Sequence, residues 1–144
     1  MSTDQLRRKK RLALIAHDNK KEDLIEWAFE NKDALSHHEL SGTGSTATLI
    51  EKQTGLSVEK LLSGPLGGDQ QVGALIAERE IDFLIFFWDP MEAQPHDSDV
   101  KALLRIAVAW NILIANNRTT ADFLLASTLM NQDYTMQVPD YSKY

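Results

Sequence analysis

The sequence predicts an α/β fold: a three-layer α/β/α single domain over residues 1–144, with a five-stranded, mainly parallel sheet. Short apolar runs alternate with segments of helical periodicity about five times along the chain, and such alternation is typical of a parallel sheet covered by helices. The run Asp82 to Phe87 is almost continuously apolar, as expected for a strand buried on both faces. A length of 144 residues suits one domain.

Each predicted element has its own local signal. Leu24, Ile25, Trp27 and Ala28 recur at helical spacing among charged residues, and Gly55 follows a helical segment at the position where glycine ends helices. The predicted strands cover residues 12–16, 39–42, 58–62, 82–87 and 112–115, with a possible edge strand over 134–138 before Pro139. The first predicted helix contains residues 24–28, and the others cover 46–53, 69–78, 100–110 and 120–125.

Composition excludes several classes of protein. A formal net charge of −6 argues against a nucleic-acid-binding protein. No apolar segment is long enough to span a bilayer, and no signal peptide precedes the first strand, so we expect a cytoplasmic protein without a membrane partner. The chain has no cysteine, which excludes disulfides, thiolate catalysis and cysteine zinc sites. We expect residues 1–10 to form a flexible basic tail, with the run Arg7 to Arg11 solvated.

Polar residues follow the predicted strands at the points where those strands end. They are His17, Asp18, Thr43, Ser45, Ser63, Gly64 and Asp89. Ligands of open α/β sheets bind outside the carboxyl ends of the strands, near the point where the strand order reverses. The sequence therefore predicts one pocket at this edge of the sheet.

The segment Ser63 to Ala74, SGPLGGDQQVGA, is the most unusual part of the chain. Its glycines allow backbone N–H groups to approach a ligand, and the helix that it opens favours an anion at its N-terminus. Asp69 stands at that helix start. It is either a helix cap or, because an anion site has little use for a second anion, a group that transfers protons.

The run Thr43, Gly44, Ser45 and Thr46 offers hydroxyl and N–H groups at a strand-to-helix turn, which suits a phosphate as well as a helix cap. Lys21 follows Asp18 by three residues, so both lie on one helical face. The spacing alone leaves open whether Lys21 meets the ligand or is only solvated.

His96, Asp97 and Asp99 stand at the start of a predicted helix. No second histidine lies at ligand spacing, so we predict no metal site there. The positive end of the helix disfavours imidazolium, which predicts that His96 is a neutral hydrogen-bond donor. His37 and His38 lie in a polar loop and are predicted to be surface residues. We expect the three tryptophans to serve packing.

Five segments resemble the methylglyoxal synthases and, taken in order, cover nearly all of the chain. They are AHDNKK (16–21), GTGST (42–46), SGPLGGDQQVGA (63–74), IFFWDP (85–90) and PHDSDVKALLR (95–105). The resemblance implies conversion of dihydroxyacetone phosphate to methylglyoxal and inorganic phosphate through an enediolate phosphate, without a metal or organic cofactor. It also implies a homohexamer that inorganic phosphate inhibits.

Carried onto this chain, the resemblance makes Asp69 the general base, His96 the group that serves the enediolate oxygens, and Asp99 a support for the proton transfers. The implied substrate and phosphate site contains His17, Lys21, Thr43, Gly44, Ser45, Thr46, Ser63 and Gly64, with Asp18 and Asp89 nearby. Ser45 stands where many members have threonine. The chain ends at Tyr144 without the further basic tail of some members, which leaves phosphate regulation open.

An alternative is a non-catalytic regulatory module of the same fold that binds phosphate or a small effector. Such a module needs the phosphate-binding residues but has no need of Asp69, His96 and Asp99 together. A flavodoxin-like phosphoacceptor is disfavoured, because its aspartate would directly follow a strand beside an acidic pair. The catalytic set therefore favours an enzyme.

Overall fold

The central sheet has five parallel strands, as the sequence predicts. The structure, a computed structural model, describes residues 2–92 and 97–144, with the backbone alone for residues 97–99. Its strands are β1 Ser2–Leu6, β2 Arg11–Ala16, β3 Glu39–Thr43, β4 Val58–Leu61, β5 Phe83–Phe87, β6 Leu113–Ala115 and β7 Tyr134–Val138. Its helices are α1 Lys21–Glu30, α2 Lys32–Leu35, α3 Gly44–Thr54, α4 Gly68–Ala77, α5 Asp97–Ala109 and α6 Arg118–Leu125.

The sheet has the order β4-β3-β2-β5-β6. From β2 the chain runs outward through β3 to β4, and then returns to place β5 on the other side of β2. The strand order therefore reverses between β2 and β5, whose last paired residues are Ala16 and Phe87. In open α/β sheets this is the position where a ligand crevice opens.

Apolar side chains cover both faces of the sheet, because successive residues of a strand point to opposite faces. On one face Leu12 and Leu14 belong to a core cluster with Trp27 of α1 and Ile50 of α3. On the other face the cluster contains Ala13 and Ile15 of β2 with Val72 of α4 and Leu103 of α5. Trp88 and Trp110 pack against this second cluster. The three-layer prediction is thus confirmed. Within the described ranges, no helix is long and apolar enough to span a bilayer.

The prediction of a flexible N-terminal tail is wrong for residues 2–6. They form β1, which pairs in antiparallel fashion with β7, from Ser2 opposite Val138 to Leu6 opposite Tyr134. The edge strand predicted over 134–138 is present, but it belongs to this separate two-stranded sheet. The side chains of Leu6, Met136 and Val138 are buried in one apolar cluster, and this burial stabilises the two-stranded sheet.

The basic run Arg7 to Arg11 is also not simply solvated. Lys10 is only 1% exposed, and its ammonium donates to the carbonyl oxygens of Arg7 and Gln132 at 2.5 and 2.7 Å. Arg11 pairs with the buried carboxylate of Asp82 at 3.0 Å. The buried ammonium of Lys10 is tolerated because carbonyl oxygens accept its hydrogens. Through Gln132 and Asp82, Lys10 and Arg11 connect the start of β2 to segments that are distant in sequence.

His38 is buried, whereas the sequence predicts a surface residue; His37 is exposed as predicted. The Nδ1 atom of His38 accepts a hydrogen bond from the backbone N–H of Lys10 at 3.0 Å. Burial, followed by the positive charge of Lys10, lowers the pKa of His38 below the ordinary histidine value of 6.5. The folded chain therefore favours a neutral imidazole at this position.

We expect the free energy of unfolding to decrease as the pH falls through about 6.5, because the unfolded chain then binds a proton on His38 that the folded chain resists. The decrease ends only below the lowered folded pKa. Urea unfolding at about pH 8 and about pH 5.5 measures it. His38→Gln, whose amide oxygen can accept from Lys10 without titrating, should show a smaller decrease. His37→Gln should keep the decrease of the parent, and equal decreases in all three proteins would contradict the assignment.

Candidate active site

A cavity of about 180 Å³ opens at the carboxyl ends of β2, β3, β4 and β5. This volume lies below the roughly 300–1,000 Å³ of most drug-sized pockets, so the cavity suits a smaller ligand. Its walls contain Ile15, Ala16, His17, Asp18, Lys21, Thr43, Gly44, Ser45, Thr46, Ser63, Gly64, Pro65, Asp69, Phe86 and Glu92.

His17 has a fixed tautomer. Its backbone N–H donates to the carbonyl of Phe87 at 3.2 Å, and its ring packs edge-on against Phe86 with a centroid distance of 5.3 Å. The Nδ1 atom accepts a hydrogen bond from the backbone N–H of Asp89 at 3.2 Å. An imidazole nitrogen that accepts carries no proton, so the ring proton is on Nε2. His17 can therefore donate one hydrogen bond from Nε2 to a ligand.

Asp89 supports this arrangement from behind the cavity wall. Asp89 as a residue is 7% exposed, and its carboxylate accepts from Asn19 Nδ2 at 3.1 Å and from the backbone N–H of Met91 at 3.0 Å. These hydrogen bonds, that of Asn19 first, lower the pKa of Asp89 below its usual value. The carboxylate thus stays ionised and fixes the turn whose N–H holds His17.

Lys21 begins α1 and directs its ammonium into the site. Its Nζ atom lies 3.0 Å from Asp18 Oδ1 and 3.2 Å from Ser45 Oγ. The Asp18 side chain is 90% exposed, so water can replace its contact with Lys21 at little cost when an anion arrives. The prediction that Asp18 and Lys21 share a face is confirmed by their contact.

The turn from Thr43 into α3 presents backbone donors. Thr43 is the N-cap of α3 and makes no side-chain capping bond, so its hydroxyl does not occupy the first N–H groups of the helix. Gly44 has a φ of +51°, and a Cβ there would lie 3.0 Å from the Cβ of Ser63. The glycine therefore lets the loops after β3 and β4 approach each other.

The loop after β4 wraps tightly into α4. The carbonyl of Ser63 accepts from the N–H groups of Leu66 and Gly68 at 3.0 and 2.9 Å. Gly67 is the N-cap of α4, so Asp69 does not stand at the capping position and lies in the first helical turn. A Cβ added to Gly64 would lie 3.4 Å from Asp69 Oδ1, which places the carboxylate directly beside this glycine.

The structure brings ten of the predicted site residues to one cavity: His17, Asp18, Lys21, Thr43, Gly44, Ser45, Thr46, Ser63, Gly64 and Asp69. Asp89 contacts His17 but is not part of the wall. His96 lies outside the described residues. Asp99 belongs to the first turn of α5 by its backbone, and its side chain also lies outside them.

Two polar residues of the site were not predicted. Glu92 lines the cavity, and Asn19 joins Glu92 to Asp89 through its amide. Both residues follow strand ends, and this position was a signal that could have found them. Among the side chains that the structure describes, no three acidic or histidine groups are arranged to hold a metal ion.

Comparison with known proteins adds sequence and structural relatives. The family model described as an MGS-like domain matches residues 23–116. The methylglyoxal synthases of Yersinia pestis (strain Pestoides F) and Yersinia pseudotuberculosis (serotype O:1b, strain IP 31758) are each 55% identical over 144 residues, 100% of this chain and 94% of theirs. This chain belongs to the methylglyoxal synthase family.

The solved structures agree with this membership. The crystal structure of methylglyoxal synthase from Elizabethkingia anophelis NUHP1 superposes with a TM-score of 0.94 at 51% identity and covers 100% of this chain and 95% of that one. The chain is therefore an enzyme of the lyase class, and its α/β sheet is the sheet of that family.

Proposed function

We propose that this chain converts dihydroxyacetone phosphate to methylglyoxal and inorganic phosphate, with Asp69 as the general base and without a metal or organic cofactor. The observation that carries the proposal is that one small cavity contains an ammonium, a cluster of hydroxyl and N–H donors, and the carboxylate of Asp69. The first two suit a phosphate, and the third suits proton abstraction from the rest of the substrate.

The phosphate group would bind between the two glycine-containing turns. Lys21 supplies the positive charge, and the turns starting at Thr43 and Ser63 supply hydroxyl and backbone N–H donors. An ammonium has three hydrogens, so Lys21 can bind the phosphate and keep its contact with Asp18. A ligand anchored at one end in this way presents its three-carbon part to Asp69 and His17, so binding also positions it for reaction.

Proton abstraction is the first chemical step. Asp69 takes a proton from the hydroxymethyl carbon beside the ketone, and the C–H electron pair moves toward the carbonyl to give an enediolate. A carboxylate is a weak base, so donors at the developing oxyanion must lower the barrier. His17 can supply one such donor, because the N–H of Asp89 holds its Nδ1 and leaves the proton on Nε2.

Loss of phosphate is the second step. The hydroxyl group on the former hydroxymethyl carbon loses its proton, and its O–H electron pair forms the aldehyde C=O. The enediolate C=C pair shifts to form a new C=C bond to the phosphate-bearing carbon, the bond between that carbon and the ester oxygen breaks, and inorganic phosphate leaves with the electron pair of that bond. The released enol then gains a proton on its terminal carbon and becomes methylglyoxal. We assign to His96 proton transfer at the enediolate oxygens and to Asp99 a supporting role, by resemblance to the family. The same resemblance supports a cytoplasmic homohexamer that inorganic phosphate inhibits.

An assay with purified chain and dihydroxyacetone phosphate tests the proposal. We expect methylglyoxal and inorganic phosphate in equal amounts, with full activity retained after dialysis against a chelator. Formation of glyceraldehyde 3-phosphate without phosphate release would contradict the elimination step. Binding of phosphate without any turnover would favour the regulatory module instead.

Lys21→Met should weaken the substrate and inorganic phosphate together, because both present the same anionic group to the same ammonium. Loss of one charge-assisted contact predicts an increase of about tenfold or more in the Kd of phosphate and in KM. Calorimetry and steady-state kinetics measure the two values. Lys20→Met is the matched control, since Lys20 pairs with Asp23 and does not line the cavity. Parental phosphate affinity in Lys21→Met would exclude Lys21 from the phosphate site.

A further inference from the structure

Glu92 is a carboxylate on the cavity wall for which the proposed reaction has no use. It follows β5 by five residues, is exposed, and contributes to the same wall as Lys21 and Asp69. Its Oε2 atom accepts from Asn19 Nδ2 at 3.1 Å. The other hydrogen of that amide is available to Asp89 Oδ2, also at 3.1 Å. The amide of Asn19 therefore holds two carboxylates of the loop after β5.

This arrangement fixes the position of the Glu92 charge. Asp89 is buried and anchored by Met91 N–H and His17 Nδ1, so its contact with Asn19 gives the amide a defined orientation. Through Asn19, the exposed carboxylate of Glu92 gains a preferred position at the rim of the cavity. A free glutamate side chain would average over many rotamers and would act less on a bound ligand.

The described wall thus contains three carboxylates, those of Asp18, Asp69 and Glu92. Its only lysine or arginine is Lys21. Asp18 is already paired with Lys21, and Asp69 has a proposed task in the chemistry. Glu92 has neither role, and its charge repels any anion bound at Lys21. A negative charge near an anion-binding site makes the binding free energy of the anion less favourable. Salt screens this repulsion.

We propose that Glu92 is an affinity-determining residue that weakens the binding of phosphate anions and so favours departure of the phosphate product. The inference rests on the proposed function, because it assumes that phosphate occupies the Lys21 end of the cavity. Asn19 acts as the positioning residue for this charge. Inorganic phosphate, which has no carbon part to contact Asp69 or His17, has fewer attractive contacts to offset the repulsion than the substrate has.

A charge series tests this inference. In Glu92→Gln the amide oxygen can still accept from Asn19, and the Kd of inorganic phosphate should fall by about two- to fivefold, the usual size of an exposed charge interaction. Glu92→Lys should lower Kd further by a similar factor. Both gains should shrink as the sodium chloride concentration is raised. Calorimetry on the full chain gives the values, and Glu80→Gln, an exposed residue at the opposite end of the sheet, should leave Kd unchanged.

Unchanged or weaker phosphate binding in Glu92→Gln would overturn the inference, and so would a gain that persists at high salt, since only a charge effect is screened. These outcomes leave the proposed function intact, because it is tested separately by turnover of dihydroxyacetone phosphate. A parent chain that does not bind phosphate at all would contradict both. In turnover assays, stronger inhibition of Glu92→Gln than of the parent by inorganic phosphate would support the inference.

Discussion

Replacing Asp69 by asparagine is expected to lower kcat for dihydroxyacetone phosphate by about 10²–10⁴-fold, the usual loss when a positioned general base is removed. The amide has nearly the same shape as the carboxylate, but it cannot accept the proton from carbon. Asp69 lies in the first turn of α4 and the N-cap position belongs to Gly67, so the substitution leaves the N-cap residue unchanged. Steady-state kinetics with a coupled assay for methylglyoxal measure the loss.

Two controls separate chemistry from folding. The urea midpoint and the Kd of inorganic phosphate in Asp69→Asn should stay close to those of the parent, because Lys21 and both glycine-containing turns are untouched. Asp33→Asn makes the same chemical change at an exposed position of α2 and should keep full activity. Near-parental turnover in Asp69→Asn would mean that another group takes the proton.

The sheet could be predicted because its signals are local. The run from Asp82 to Phe87 is apolar throughout, and each central strand is followed by a helical segment with its own stop or start residue. In the structure, β5 lies between β2 and β6 with every side chain buried, and Gly55 ends α3 with a φ of +77°. Neighbouring residues alone are enough to specify features of this kind.

The N-terminal region could not be predicted because its partners are distant in sequence. Residues 2–6 read STDQL, a mostly polar string without strand periodicity, and they become a strand only by pairing with β7. Lys10 is buried because Gln132, 122 residues away, supplies a carbonyl. His38 is buried where its Nδ1 accepts from the backbone N–H of Lys10, 28 residues away. Charge and polarity in the sequence cannot reveal such long-range acceptors.

The site also contains residues that the sequence predicts and residues that it does not. The ten wall residues that were predicted all follow strand ends or open helices, where chemistry in α/β proteins concentrates. The prediction missed Asn19 and Glu92, although both also follow strand ends, because a single amide or carboxylate in a loop has no distinctive spacing. Their significance comes from one amide that reaches two carboxylates at 3.1 Å, which is a property of the folded loops.

The other large effect is expected at Gly68, the first residue of α4. A Cβ there would overlap the carbonyl oxygen of Leu62 and would lie 2.9 Å from the carbonyl carbon of Ser63, and both atoms belong to the backbone. Backbone cannot rotate away as a side chain tip can, so Gly68→Ala must displace the segment that carries Ser63 and Gly64. We expect a loss of about 3 kcal/mol or more of unfolding free energy, at or above the upper end for overpacking.

The same displacement should reach the active site. The N–H of Gly68 donates to the carbonyl of Ser63 at 2.9 Å, and Ser63 in turn contacts the turn at Gly44, so the two glycine-containing turns would move apart. Phosphate binding should therefore weaken even at low temperature, where the variant remains folded. Calorimetry with phosphate and urea unfolding measure the two effects.

Gly73→Ala is the matched control for this prediction. It makes the same change in the middle of the same helix, where the added Cβ would lie 3.3 Å from the flexible Cδ1 of Ile106. Alanine favours helix over glycine by about 1 kcal/mol, which offsets the slight crowding, so stability and phosphate affinity should stay near those of the parent. If Gly68→Ala behaved like Gly73→Ala, the close approach of α4 to Leu62 would not be what holds the two turns together. If only Gly68→Ala loses stability and phosphate affinity, the close approach of α4 to the backbone of Leu62 is the contact that holds the phosphate site in place.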